Sequence, residues 1–328
     1  MVLDAPGGDL IERELPDPEP EPGEVVVAVE ACGVCRTDLH VIDGELPDPA
    51  LPLILGHQAV GRVLVAGAGA DLGVGERVGV PWLGWTCGEC DRCREGRENL
   101  CPRALFCGYT RDGGYAERIA VDGRYALPLA TDAEASSLAP LLCAGLIGYR
   151  ALGMCGDAER VGLFGFGSSA HLICELLVKQ GREPFAFTRD GDAEGQRFAR
   201  SLGAVWAGGS SEPPPAELDA AIIFAPAGEL VPAALSRVRP GGVVVCAGIH
   251  MSAIPSFPYE LLWHERSVRS VANLTRRDGL EFLPLAIESG LTPTVTTYPL
   301  TAAMRALDDL RAGRVEGSAV LEVGSDPG

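Results

Sequence analysis

The sequence predicts an α/β protein: a β-rich first part followed by a doubly wound parallel sheet. Three observations predict this. Between residue 24 and about residue 130, glycine and proline recur every few residues around short apolar runs, LPLILG, GRVLVAG, ERVGVPW and ERIAV. That is the punctuation of short strands in a compact β domain. From TDAEASSL onward, strand-like apolar runs alternate with helix-like amphipathic ones, the pattern of βαβ units. At the first strand-to-helix joint stands a glycine turn, GFGSSA, beginning at Gly165.

Taking the elements in order, PDPEPEPGE (16–24) is rich in proline and acid and reads as a turn, because EVVVAVEA (24–31) follows at once as a buried strand. Thr131 and Glu134 have capping-box spacing, so a helix is expected to begin there. RVGLFGFG is a strand and turn, and HLICELLVKQ a helix closed by Gly181. EPFAFT is a strand, AEGQRFARSL a helix closed by Gly203, DAAIIFAP a strand, ELVPAALSRVRPGG a helix, VVVCAG a strand and SVRSVANL a last strand. The tail adds two helical patterns, GLEFLPLAIESG and AAMRALDDLRAG, and a strand, SAVLEV. No internal repeat is visible.

The 328 residues, 47% hydrophobic and 22% charged, are globular in composition. No apolar run approaches the ~20 residues of a membrane helix. MVLDAPGGDLIEREL has no basic segment followed by an apolar one, so no signal peptide is read and a cytoplasmic location is expected. A net charge of −18 argues against nucleic acid or an anionic membrane as partner. In such a chain, clustered thiols read as metal ligands before disulfides.

Cys87, Cys90, Cys93 and Cys101 have the spacing C-x2-C-x2-C-x7-C. Four thiolates close a tetrahedron around zinc and leave no position for substrate, so the expected role is structural. An iron–sulfur cluster is the rival, because Pro102 follows the last cysteine; the final gap of seven and the lack of a second run oppose it. Unmetallated thiols are the remaining alternative.

GFGSSA matches G-x-G-x-x-G/A through Gly165, Gly167 and Ala170. The first glycine allows the turn, the second lets backbone approach a pyrophosphate, and the small third residue lets helix pack on strand. Gly248, the last residue of VVVCAG, is placed with the cofactor residues. The strand that follows the glycine turn and its helix ends PFAFTRD. Thr188 and Arg189 there suit a 2′-phosphate, which favours NADP over NAD, although Asp190 is one residue from the position of an NAD-reading acid.

A second metal constellation is spread along the chain. ACGVCRTDLH (31–40) holds two cysteines and a histidine, LILGHQAVG (53–61) holds His57, and PLLCAGLIGYRAL (140–152) holds Cys143, placed on the helix that enters the alternating half. A catalytic zinc needs three protein ligands and an open position. One cysteine of the first stretch, His57 and Cys143 could supply them; spacing does not choose between Cys32 and Cys35.

CGVCRTDLH, GHQ, the four-cysteine segment, GYTRDGGYAE (108–117), LLCAG and GFGSSAH occur in this order over nearly the whole chain. The combination resembles the zinc-dependent medium-chain alcohol dehydrogenases of the bacterial type. The resemblance implies Cys35, His57 and Cys143 as ligands of the catalytic zinc, so two Zn2+ per chain. It implies Arg36 on the cofactor pyrophosphate, Thr37 taking the alcohol proton, His40 passing it toward solvent, and Asp38 orienting His57. It implies Trp82 lining the substrate pocket and an alcohol or aldehyde as the small-molecule partner, in a homodimer or homotetramer. The implied architecture is a GroES-like catalytic domain over 1–143 with both zinc sites, a Rossmann NAD(P)-binding domain over 144–274, and a return to the first domain over 275–328. The implied reaction is hydride transfer between a primary or secondary alcohol and NAD(P).

Two departures stand out. Gln58 follows the zinc histidine where the family usually has glutamate, and Leu46 falls where yeast-like members narrow the pocket with tryptophan. The rivals are a zinc-free NADPH-dependent enal or quinone reductase on the same fold, opposed by the three ligands, and a non-catalytic zinc and nucleotide-binding protein, opposed by Thr37 and His40. Cys32, Cys107, Cys155, Cys174 and Cys246 are expected as small apolar fillers. His171 is expected to cap or pack near its helix start, His250 and His264 to be structural, and Trp85, Trp206 and Trp263 to be packing residues.

Overall fold

The computed structural model describes residues 1–324 of the chain. Two compact units are present. One comprises Met1–Leu146, Asn273–Glu288 and the segment from Thr292 on; the other comprises Ile147–Ala272 with Ser289–Leu291.

The first unit is built on a mostly antiparallel sheet. Its central strand is Glu24–Val34, longer than the run EVVVAVEA, and it pairs with Ala59–Ala66, Arg118–Asp122 and Ser318–Glu322. The C-terminal strand therefore lies beside the strand that leads into Cys35, with Val320 opposite Gly33 and Leu321 opposite Cys32. The pairing of Val295–Pro299 with Ser318–Glu322 is parallel. Arg276, at the start of the helix Arg276–Glu288, clasps the buried carboxylate of Glu98 with Nε at 3.0 Å from both oxygens. This joins the tail to the four-cysteine segment.

In the second unit, six strands among the described residues form one parallel sheet. Its order is Trp206–Gly209, Glu183–Thr188, Arg160–Phe164, Leu218–Ile223, Val238–Cys246, Ser267–Ser270. The first strand of the unit is in the middle. The chain adds strands outward on one side, then returns and adds them on the other, so the order reverses beside Arg160–Phe164. That switch point is where a doubly wound sheet opens a crevice at its carboxyl edge. Val161–Phe164 is buried throughout, as expected of a parallel strand covered on both faces. Phe164 and Phe187 are register partners with ring centroids 4.0 Å apart, an aromatic cross-strand pair at the centre of the core.

Several local expectations are corrected. Thr131 and Glu134 form no capping box: the helix Ala135–Leu138 has Glu134 as N-cap with no side-chain bond. Arg77 holds the carbonyls of Thr131 and Ala133 at 3.0 and 2.6 Å, which keeps that segment out of the helix. The helix read in ELVPAALSRVRPGG covers only Leu230–Leu235. Its VRPGG end belongs to the strand Val238–Cys246, where the register jumps from Val238 to Val243 and Gly241 has φ +77°. Trp206–Gly209 is a strand that was not read, because WAGG lacks an apolar run. Trp263 is 55% exposed, with Tyr259 against its edge, rather than a packing residue. The five filler cysteines are buried. No single described helix is long and apolar enough to cross a membrane; one bent pair around Cys143 passes by length and composition, and its residues Ala139–Leu142 lie in the core of the first unit.

Candidate active site and metal centres

Cys35 is the N-cap of the helix Arg36–Ile42. Its sulfur accepts the N–H of Thr37 at 3.3 Å, and Asp38 reaches back to the N–H of Cys35 at 2.9 Å. A thiol therefore stands in the cap usually held by serine or threonine, with the carboxylate completing the box. His57 comes from the turn after Leu53–Ile54. Gly56, with φ +97°, and the segment Gly113–Tyr115 shape that turn: Gly113, Gly114 and Tyr115 donate to the carbonyls of Ile54, Gly56 and Leu55. Cys143 is not on a helix. It lies at the break between the 3-10 turn Ala139–Leu142 and the helix Ala144–Gly153.

These three side chains meet. Cys35 Sγ is 3.1 Å from His57 Nε2 and 3.9 Å from Cys143 Sγ. Donors on a tetrahedral zinc lie roughly 3.6 Å (N to S) and 3.8 Å (S to S) apart; Cys35 and His57 stand somewhat closer than a bound ion would hold them, and the two sulfurs have the zinc spacing. Charge points the same way. The Cys143 thiol and the His57 ring hold the Cys35 sulfur well below the usual thiol range, while the Cys35 sulfur and burial push Cys143 up. Burial opposes charge on His57, yet Asp38 and Cys35 raise its pKa to about 10. Two sulfurs and a carboxylate thus gather around one buried point that favours positive charge. Asp38 and His57 are each 1% exposed, and Asp38 Oδ1 lies 3.2 Å from His57 Nδ1. The other ring nitrogen, Nε2, is the one that faces the Cys35 sulfur.

The other cysteine group, like the first, lies in the first unit. Cys87 Sγ is 3.5 Å from Cys101 Sγ and 3.9 Å from Cys93 Sγ, and Cys90 Sγ is 3.5 Å from Cys93 Sγ. These separations match a closed four-thiolate zinc site. Backbone N–H groups of Cys90 and Arg103 point at the sulfurs of Cys87 and Cys101. The N–H of Glu89 is the main cause that brings Cys87 down to about 6.

In the second unit, Gly165 has φ +87°, and a Cβ there would meet Ala225 backbone at 2.8 Å. Gly167 caps the helix Ser168–Lys179 and has open space on its Cβ side, while Ala170 is buried against the sheet. Gly248 follows the carboxyl end of Val238–Cys246. Thr188 ends its strand buried, its hydroxyl engaged with the carbonyls of Arg189 and Gly208 at 3.0 and 3.3 Å. Arg189 is exposed, and Asp190 is turned aside to the N–H of Ser211 at 3.1 Å.

Residues 21–131 match the alcohol dehydrogenase GroES-like domain family. The chain is 46% identical over 313 residues to "Probable alcohol dehydrogenase AdhA" of Mycobacterium tuberculosis, covering 93% of this chain and 90% of that one. It is 34% identical over 326 residues to an alcohol dehydrogenase of Geobacillus stearothermophilus, covering 96% of each. The chain belongs to the medium-chain zinc alcohol dehydrogenases. Its fold also matches a cinnamyl alcohol dehydrogenase of Sorghum bicolor with a TM-score of 0.90, at 24% identity over 98% of this chain and 96% of that one. It is an NAD(P)-dependent alcohol dehydrogenase with a four-cysteine structural zinc site and a Cys–His–Cys catalytic one.

Around the catalytic centre of this alcohol dehydrogenase, Trp82 packs its edge on His57 at 5.0 Å. Phe106 and Tyr109 stack on Trp82 at 5.4 and 5.5 Å, and the Tyr109 hydroxyl donates to the Pro47 carbonyl beside Leu46. Phe106 and Tyr109 were not singled out from sequence; only Tyr109 lies in a quoted motif, GYTRDGGYAE. Gln58 is 2% exposed, its Nε2 has no hydrogen-bond partner, and its Oε1 lies over Gly33. Arg36 is exposed, Thr37 is half-buried, and His40 Nδ1 is bound by the Glu45 carboxylate.

Proposed function

We propose that this chain interconverts primary or secondary alcohols and their carbonyl products, with NADP as the favoured cofactor, as a cytoplasmic homodimer or homotetramer. The observation that carries the reading is the meeting of Cys35, His57 and Cys143, three donors where a closed structural site would have four. Zinc held by Cys35, His57 and Cys143 would supply Lewis-acid activation of an alcohol or carbonyl, and a bound nicotinamide would accept or give the hydride.

The chain's own residues supply the rest. Thr37 Oγ1 takes the hydroxyl proton, and His40 carries it toward solvent. Asp38 holds the His57 ring so that Nε2 faces the metal. Trp82 and Leu46 bound the substrate space. Gly165, Gly167 and Ala170 receive the pyrophosphate at the helix N-terminus, with Arg36 and Gly248 as further cofactor contacts. Support for NADP comes from the exposed Arg189 guanidinium and from the engagement of Asp190 with Ser211. The Thr188 hydroxyl, being bound to backbone, adds little.

The deciding experiment is zinc per chain on protein purified without chelator, together with turnover on a panel of alcohols. About two zincs and alcohol-dependent reduction of the cofactor are expected. About one zinc with chelator-resistant reduction of enals or quinones would overturn the reading.

A further inference from the structure

We propose that Glu45 is the positioning residue for His40; the proposal rests on the relay reading above. The helix Arg36–Ile42 closes in a Schellman turn. The N–H of Glu45 bonds the carbonyl of His40 at 2.9 Å, the N–H of Gly44 bonds that of Val41 at 3.2 Å, and Gly44 has φ +72°. Such a closure folds the residue after the glycine back over the side chain at the start of the last turn, a contact that is frequently apolar. Here the two side chains that meet are His40 and Glu45, and the carboxylate bonds Nδ1.

The turn is held from two sides. Arg311 binds Asp43 at 2.6 Å, and the Tyr109 hydroxyl donates to the carbonyl of Pro47. The His40 and Glu45 side chains are 12% and 41% exposed, so the pair lies where covered protein gives way to solvent, as the outer end of a proton path must.

A carboxylate only accepts a hydrogen bond, so the proton of the neutral ring is on Nδ1 and the lone pair is on Nε2. That tautomer can take the proton arriving from Thr37. The ring then carries both protons, and release of one proton to water restores the neutral form. Without Glu45 the tautomer is no longer dictated, and part of the His40 population presents a proton where an acceptor is needed.

The test uses the zinc-loaded full chain. Glu45→Met keeps side-chain length and removes the acceptor; Glu45→Gln keeps an acceptor and removes the charge. Both are made in wild type and in His40→Gln. Glu45→Met is expected to lower kcat for alcohol oxidation about tenfold with the alcohol KM within about twofold. Glu45→Gln, whose amide can accept or donate, should recover part of the loss, and Glu45→Met should cost nothing further in His40→Gln. Nitrogen-15 NMR of the imidazoles, with His40 assigned by its loss in His40→Gln, should show Nδ1–H in wild type and a shift toward Nε2–H in Glu45→Met, with Glu45→Gln between them because its amide can accept or donate. An unchanged kcat or tautomer in Glu45→Met, or an equal loss in the His40→Gln background, overturns the assignment. A normal kcat in His40→Gln would instead remove the relay on which it rests.

Discussion

One oxygen of Asp38 lies 3.2 Å from Nδ1 of His57. The other accepts the N–H of Cys35 at 2.9 Å. A single buried carboxylate thus lies against the ring of one metal ligand and closes the cap that places another. Asp38→Asn keeps the shape and removes the charge. Affinity at the catalytic site is expected to fall about 10- to 100-fold. Chelator competition should strip one zinc per chain from the variant far sooner than from wild type, with the four-cysteine zinc retained. Equal retention of both zincs would count against the dual role.

Gly113 makes room for the turn that carries His57. A Cβ there would lie 2.1 Å from the carbonyl oxygen of Gly56 and 2.6 Å from that of Leu55. Both neighbours are backbone and cannot swing away, so Gly113→Ala must displace the turn itself. A loss of about 1–3 kcal/mol or more in denaturant unfolding is expected, together with weaker catalytic zinc. Gly88→Ala is a control only for space, since its Cβ side is open but its φ is +71°; it should leave the catalytic zinc untouched.

Arg276 and Glu98 tie the tail to the four-cysteine segment with several charge-assisted hydrogen bonds, the closest at 2.6 Å. Glu98 is buried, whereas Arg276 keeps part of its side chain in water. Arg276→Ala leaves a buried carboxylate without its cation, a loss of about 1.5–3 kcal/mol. Urea midpoints should fall accordingly. Glu98→Gln combined with Arg276→Met should be milder than Arg276→Ala alone, because no buried charge is stranded.

His171 gives the second unit a pH dependence. Burial holds its imidazole down at about 4, while its ring bonds the carbonyl of Gly167. An unfolded chain takes up the proton near pH 6.5. Between those values the unfolded state binds more protons, so this contribution to stability is complete above pH 6.5 and is lost as pH falls toward 4, by roughly 3 kcal/mol in all. The stability difference between wild type and His171→Gln should therefore be constant above pH 6.5 and move against wild type below it. A difference that stays flat down to pH 4.5 would refute this.

Cofactor choice should follow Arg189. Initial rates are expected to favour NADPH over NADH, and Arg189→Ala should raise the NADPH KM by about tenfold, the value of one or two charge-assisted hydrogen bonds, with little change for NADH. A strong NADH preference in wild type would end the NADP reading.

Much of the site was legible from sequence because its ligands sit in short segments with strong local chemistry. CGVCRTDLH carries a cap, a ligand and a helix start within a few residues, and the four cysteines need only a loop to close on one another. The errors came where local pattern and tertiary context disagreed. Thr131 and Glu134 have capping-box spacing, but Arg77, far away in sequence, claims the carbonyls of that segment. WAGG has no strand signal, and it is a strand because Phe185–Thr188 offers it a hydrogen-bonding edge. Phe106 and Tyr109 have no periodicity that marks them; they matter because they stack on Trp82.

The order of residues along the chain was enough for the alternating half, the glycine turn, the four-thiolate group and the kinds of donor available for a catalytic metal. These rest on interactions between residues close in sequence, whose spacing is itself the signal. The resemblance named Cys35, His57 and Cys143 as one ligand set; only the folded chain gave the distances at which they meet, and decided that Cys143 stands at a helix break, that Thr188 turns its hydroxyl to backbone, and that Glu45 lies on His40. The first three depend on contacts between distant segments, set by strand register and by which carbonyls find which donors. The last depends on a left-handed glycine that reverses the chain, a conformation glycine allows but does not compel.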